Sequence, residues 1–261
     1  MSQNTKFEYN LITESPGLKA TKEQLARLFH RYRFASDFAV GKELLEVACG
    51  SGIGLGFLAK SAKRVEGGDI DQKNVALAST LYKSDGIKVQ EMDAHALPFA
   101  EESFDIVLLF EAIYYLEHPD VFVKEAYRIL RKQGILIICT VNKDWEDFHP
   151  SSYTYQYFSV PQLGELLKTS FSDVQCYGAF STQTNGMLGK IVSLIKKTAV
   201  RFHLIPGSLA ARAYLKRLFI GPLKPLPQRI DEGMATYEPP LPIPIDKSTN
   251  EYKIVYAVAT K

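Results

Sequence analysis

Apolar and polar positions follow two different periods along this chain. Leu25, Leu28 and Phe29 recur at helical spacing behind Thr21, and Thr21 with Gln24 three residues on has the form of a capping box, so a first helix starts there. Short apolar runs then alternate with helical stretches. Strands are expected over Leu44–Ala48, Arg64–Gly68, Lys88–Met92, Phe104–Phe110 and Gly134–Val141, and helices over Gly54–Ala62, Gln72–Tyr82 and Pro119–Arg131. This order predicts βαβ units: an α/β fold with a mostly parallel, doubly wound sheet and helices on both faces. Pro161 opens a further helix running through Leu167, and Val174–Phe180 and Tyr252–Ala259 read as two more strands. About 70 residues separate these two strands, far more than a hairpin needs. Within the gap, amphipathic helices are expected over Met187–Leu204 and Ser208–Phe219, followed by an extended proline-rich stretch.

Charge changes this picture in one place. From Val174 to Ile230 there is no Asp or Glu, while nine bases occur there: Lys190, Lys196, Lys197, Arg201, Arg212, Lys216, Arg217, Lys224 and Arg229. The formal net charge of +2 therefore conceals an acidic body carrying a basic segment. Residues 181–250 are read as an insertion, a lid or acceptor-docking region, on a single domain spanning 1–261, with 1–39 as an N-terminal helical cap. Composition adds little beyond an ordinary globular balance. No apolar run is long enough to span a bilayer. Met1–Asn10 is polar, and Cys49, Cys139 and Cys176 form no CxxC pair, so a cytoplasmic location with free thiols is expected.

The strongest chemical signal is Leu44-Leu45-Glu46-Val47-Ala48-Cys49-Gly50-Ser51-Gly52-Ile53-Gly54, an apolar strand ending in a glycine-rich turn that opens a helix. Such a turn lets a ligand approach the backbone and offers helix N–H groups to an anionic end. The next strand closes on Gly67-Gly68-Asp69, about 20 positions past Gly50, where a carboxylate can accept from ribose hydroxyls. Asp71 is the better candidate for capping the helix that follows. Asp93-Ala94 after the third strand can read an adenine edge. A dinucleotide fingerprint requires G-x-G-x-x-G, and both registers fail, at Leu55 and at Phe57.

With these motifs in order, residues 40–142 resemble a class I S-adenosylmethionine (SAM)-dependent methyltransferase of the broad small-molecule type. Glu46-x-x-x-Gly50-x-Gly52-x-Gly54 is similar to that family's first motif and Gly67-Gly68-Asp69 to its second-strand acid. Asp93-Ala94-x-x-Leu97-Pro98-Phe99 and Ser103-Phe104-Asp105-Ile106-Val107 are similar to its middle motifs. Arg128–Gly134 is similar to its turn before the fifth strand, with Gln133 in place of one glycine. The resemblance implies a Rossmann-like, seven-stranded sheet whose last strand is antiparallel, and SAM as cofactor. It implies cofactor contacts from Glu46, Gly50, Gly52, Asp69, Ile70, Asp93, Ala94 and Phe110.

Phe110-Glu111-Ala112-Ile113-Tyr114-Tyr115-Leu116-Glu117-His118 follows the fourth strand, where such enzymes place the reacting groups. Glu111 and His118 are the candidate catalytic bases, and Tyr114 and Tyr115 can face a sulfonium as cation–π partners. The Asn/Asp-Pro-Pro-aromatic motif of nucleic-acid amino-methyltransferases is missing, and no cysteine follows a proline. Glu111, Asn142 and Asp144 only imitate a metal set, and no metal is expected. The function expected is methyl transfer to a small-molecule or glycan acceptor, most readily at oxygen, and the basic segment suits an anionic acceptor. A SAM-binding protein without catalysis and a membrane-surface enzyme acting on a lipid-linked acceptor are the alternatives. Nucleic acid is an unlikely partner, because few residues among the bases could read a base edge.

Overall fold

The computed structural model describes residues 14–182 and 222–261. Both helices expected between 187 and 219, with Lys196, Lys197 and Arg201, lie outside the described residues. The element order is β1 (Lys19–Ala20), α1 (Lys22–Ala39), β2 (Glu43–Val47), α2 (Leu55–Leu58), β3 (Arg64–Asp69), α3 (Gln72–Leu81), β4 (Lys88–Glu91), β5 (Phe104–Phe110), α4 (Pro119–Ile129), β6 (Leu130–Val141), α5 (Val160–Lys168), β7 (Asp173–Ser181), β8 (Lys224–Pro225), β9 (Leu241–Ile243) and β10 (Tyr252–Thr260).

The main sheet runs β4-β3-β2-β5-β6-β10-β7-β9. Strands β2 to β6 pair in parallel, and β10 is antiparallel to both β6 and β7. The expected seven strands and antiparallel last strand are present. An eighth strand, β9, corrects the count. It falls in the proline-rich stretch, with Pro242 opposite Tyr177, and proline is tolerated there because β9 lies at the edge of the sheet.

Alternation along the strands divides the core. Leu45, Val47, Val107 and Leu109 face α4 and α5, while Leu44, Ile106 and Leu108 face α1 and α2. Thr21 caps α1 with the full reciprocal box to Gln24, and Ser159 does the same for α5 through Gln162. Helix α2 is shorter than the expected Gly54–Ala62, running from Leu55 to Leu58 with Gly54 as its N-cap.

Helix α4 stops at Ile129 because β6 begins at Leu130, and Gln133 then adopts φ 61°. That backbone conformation costs a non-glycine residue about 1–2 kcal/mol, part of which glycine returns through its larger unfolded-state entropy. Gln133→Gly should therefore stabilise the protein by about 0.5–1 kcal/mol, raising the melting midpoint by a few degrees. An unchanged or lowered midpoint in calorimetry would show that the Gln133 side chain compensates for its strain.

Residues 222–261 pack into the body of the protein. Lys224–Pro225 pairs with Lys19–Ala20 as a two-stranded sheet, and Leu226 and Ile230 are buried. Arg229 is not a free charge of a basic surface: it pairs with Asp85, donates to the Leu81 carbonyl (2.6 Å) and lies over the Tyr82 ring.

Candidate active site

Strand order reverses between β2 and β5, and in doubly wound sheets ligands bind at that crevice beyond the strand C-termini. A cavity of about 400 Å³ opens there. Two backbone features mark it. Ala48, just past β2, and Glu111, just past β5, both sit at positive φ (56° and 50°), and both line the cavity. Non-glycine residues hold this conformation only where surrounding structure enforces it, commonly at functional sites.

Glu46 ends its side chain inside the protein, 1% exposed. Its Oε1 accepts from the Tyr32 hydroxyl at 2.6 Å, while Oε2 is buried without a hydrogen-bond partner among the described residues. Burial pushes the Glu46 carboxyl up to about 7, against the opposing pull of Tyr32 and Arg31. Tyr32 reaches Glu46 because residue 54 is glycine: a Cβ there would lie 2.0 Å from the Tyr32 ring. The third glycine of the motif thus serves the packing of α1.

Gly50 lines the cavity and donates its N–H to Asp69 Oδ2 (2.9 Å). Gly52 does not line it. With φ at 74° it turns the chain, its carbonyl accepts from the Tyr82 hydroxyl (2.7 Å), and a Cβ would meet Ala78 at 2.8 Å. Asp69 holds the loop from the other side, its Oδ1 accepting from the Asp71 N–H (2.9 Å) and Asn74 Nδ2 (3.3 Å). Burial raises the Asp69 carboxyl and those hydrogen bonds oppose the rise. Asp71 is the helix cap, accepting from the Lys73 N–H. Ile70, Asp93, Ala94 and Phe110 all line the cavity. Asp93 is held by His95, whose Nδ1 lies 2.7 Å from Oδ1.

The structure separates the two candidate bases. Glu111 lines the cavity, accepts from the Tyr114 hydroxyl at 2.9 Å, and has its carboxyl raised by burial, with nearby Arg31 opposing. His118 is exposed at the head of α4 and outside the cavity lining, and its backbone N–H donates to His95 Nε2 (3.3 Å). Tyr114 and Tyr115 line the cavity in edge contact, ring centroids 4.6 Å apart. Asn142 is committed to structure: its Nδ2 donates to the carbonyls of Thr249 and Tyr252, and its Oδ1 accepts from the Asp144 N–H. No cluster of three or more His, Cys, Asp or Glu suited to a metal exists among the described residues, and no helix among them is long and apolar enough to cross a membrane.

Glu14, Arg27, Arg31 and His95 also line the cavity. Arg31, 6% exposed, pairs with Glu14, and its Nε is buried without a partner among the described residues. The helix carrying both arginines was legible, but their role was not. The available signal was Arg27 and Arg31 one turn apart beside the buried stripe of Leu28, Phe29 and Tyr32.

Comparisons agree with this geometry. Residues 45–138 match the model of a methyltransferase domain. A probable S-adenosylmethionine-dependent methyltransferase of Mycolicibacterium smegmatis is 28% identical over 164 residues, 61% of this chain and 63% of that protein. A phthiotriol/phenolphthiotriol dimycocerosates methyltransferase of Mycobacterium tuberculosis is 36% identical over 109 residues, 41% of this chain and 40% of the other. A ubiquinone biosynthesis O-methyltransferase of Bartonella bacilliformis is 26% identical over 129 residues, 49% of this chain and 52% of the other. The matches thus span between two fifths and about three fifths of these relatives. In fold, the chain is similar to a SAM-dependent methyltransferase of Thermotoga maritima, described as a possible histamine N-methyltransferase, with a TM-score of 0.56, 18% identity, and coverage of 92% of this chain and 95% of the other. The glycine turn and the strand-end acids Asp69 and Asp93 lie within the matched residues, so residues 45–138 are similar to a methyltransferase domain on a chain whose fold is that of SAM-dependent methyltransferases.

Proposed function

We propose that this chain transfers the SAM methyl group to an oxygen of a small-molecule acceptor, with Glu111 as general base. The observation that carries the reading is one cavity lined by two residues that each keep a buried atom without a partner among the described residues, Glu46 Oε2 and Arg31 Nε, and by the raised Glu111 carboxylate at positive φ. The methionine end of SAM has an ammonium and a carboxylate. Glu46 Oε2 is a buried acceptor suited to the first, and Arg31 Nε a buried donor suited to the second. Asp69 would hold the ribose, with Ile70, Asp93 and Ala94 around the adenine, Gly50 along the methionine part and Phe110 on the wall. Bound there, SAM supplies a methyl carbon on a positively charged sulfur. Glu111 would take the proton of the acceptor hydroxyl as the new O–C bond forms and the C–S bond breaks with its electron pair to sulfur. Tyr114 fixes the carboxylate for that transfer, and orienting the partners in line supplies much of the acceleration.

The O-methyltransferase among the relatives supports oxygen as the target, and the lipid-related names among them support an apolar acceptor body. Incubation with methyl-labelled SAM and a panel of phenols and alcohols tests the reading. Labelled ether products support it, and a chain that binds SAM yet methylates nothing in the panel is a non-catalytic binder.

Glu46 adds a proton signature. Its carboxyl, raised to about 7, is largely protonated at pH 6 in the free protein, and an ammonium placed against Oε2 favours ionisation. SAM or S-adenosylhomocysteine binding should therefore release close to one proton at pH 6 and almost none above pH 8. Calorimetry in buffers of different ionisation enthalpy measures this, and Glu46→Gln should abolish it. Binding heats independent of buffer at pH 6 would exclude the ammonium from Glu46.

A further inference from the structure

We propose that the acceptor is a small aromatic hydroxy acid whose carboxylate is held by Arg27. This rests on the methyl-transfer reading and deepens it by naming the substrate class. Arg27 lies one helical turn before Arg31 on α1, and both line the cavity. The two differ in how their charge is met. Arg31 has Glu14 to itself. Arg27 shares Glu23 with Lys253, whose Nζ is 3.0 Å from both carboxylate oxygens, so within this triad one acid faces two cations. The Arg27 guanidinium is positioned by faces of rings, 5.6 Å from Trp145 and 5.7 Å from Phe180. Its Nε is buried with no hydrogen-bond partner among the described residues. A buried donor on a ligand cavity that no described residue satisfies is a place for a ligand acceptor atom.

Position assigns that ligand to the acceptor. The cofactor candidates Gly50, Asp69 and Asp93 lie at the C-terminal ends of β2, β3 and β4, on one half of the sheet. Trp145 follows β6 and Phe180 ends β7, on the other half. Glu111, at the end of β5 between the halves, is close enough to Arg27 and Arg31 for both charges to act on it. An acceptor with its carboxylate on Arg27 would present its hydroxyl toward Glu111 on the same cavity. Tyr114 and Tyr115 on the same wall suit an aromatic frame.

Trp145 is the only tryptophan in the chain, so its fluorescence reports on this corner directly. With the protein saturated in S-adenosylhomocysteine, 3,4-dihydroxybenzoate is titrated against catechol, and 4-hydroxybenzoate against phenol. The carboxylated member of each pair should bind roughly 10–100-fold tighter, the range for a hydrogen bond to a charged group, and shift Trp145 emission. Arg27→Gln should erase the difference and leave S-adenosylhomocysteine affinity unchanged. Arg27→Lys should restore part of it, which keeps the test decisive if the Gln variant melts early. Equal affinity within the pairs, or no saturable binding of either acid at millimolar concentration, overturns the proposal. So does an Arg27→Gln variant that loses cofactor affinity by the same factor, since Arg27 would then hold the cofactor carboxylate. Because binding is read without turnover, acid binding with no methyl product would sink the methyl-transfer reading alone. Methyl transfer confined to the uncharged probes would sink the Arg27 assignment alone.

Discussion

Glu111→Gln should lower the methyl-transfer rate by about 10²–10⁴-fold while leaving SAM affinity within a few-fold of wild type. The side chain is nearly isosteric, and its amide can still accept from the Tyr114 hydroxyl, so the 2.9 Å contact survives and only the proton acceptor is lost. Burial raises the carboxyl, so the wild-type rate should climb with pH through a value above the ordinary carboxylate range. In Glu111→Gln that rise should vanish. His118→Ala is the control. His118 lies outside the cavity lining, and its contact with His95 is made by its backbone N–H, which alanine retains. A Glu111→Gln enzyme with near-normal turnover would show that positioning carries the chemistry without a base. A His118→Ala enzyme with the large loss instead would move the proton to His118.

Asp69→Ala should weaken SAM by about 1.5–3 kcal/mol and destabilise the free protein by about 1–3 kcal/mol, the second effect not being readable from a ribose contact alone. The carboxylate accepts from the Gly50 N–H, the Asp71 N–H and Asn74. Removing it strands the buried Gly50 donor at the tip of the glycine turn, so the loop that must approach the cofactor loosens with it. Calorimetric binding and a denaturant melt on the same preparation separate the two effects. If stability falls and S-adenosylhomocysteine affinity does not, Asp69 braces the loop and has no ribose role.

Much of this molecule was legible because its signals are local. The Thr21 and Gln24 box, the strand-to-glycine turn at Glu46–Gly54 and the alternation of Leu44, Leu45 and Val47 all record what one element needs within its own few residues. The strand-end acids Asp69 and Asp93 were readable because a strand's C-terminal end is also its ligand end. What only tertiary structure decided is which distant groups converge. Glu14 reaches Arg31 on a segment tied down by β1 pairing with β8, two pieces of chain far apart in sequence. Gly54 is needed because Tyr32 passes over it, and Gly52 turns toward Tyr82, so two glycines of one motif serve packing partners that no spacing names. His118 and Glu111 looked alike on one loop. Only the left-handed turn at Glu111 directs one inward while His118 heads α4 outside the cavity. Periodicity records which face of an element is buried, and the identity of the side chain that arrives to bury it is a property of the folded chain.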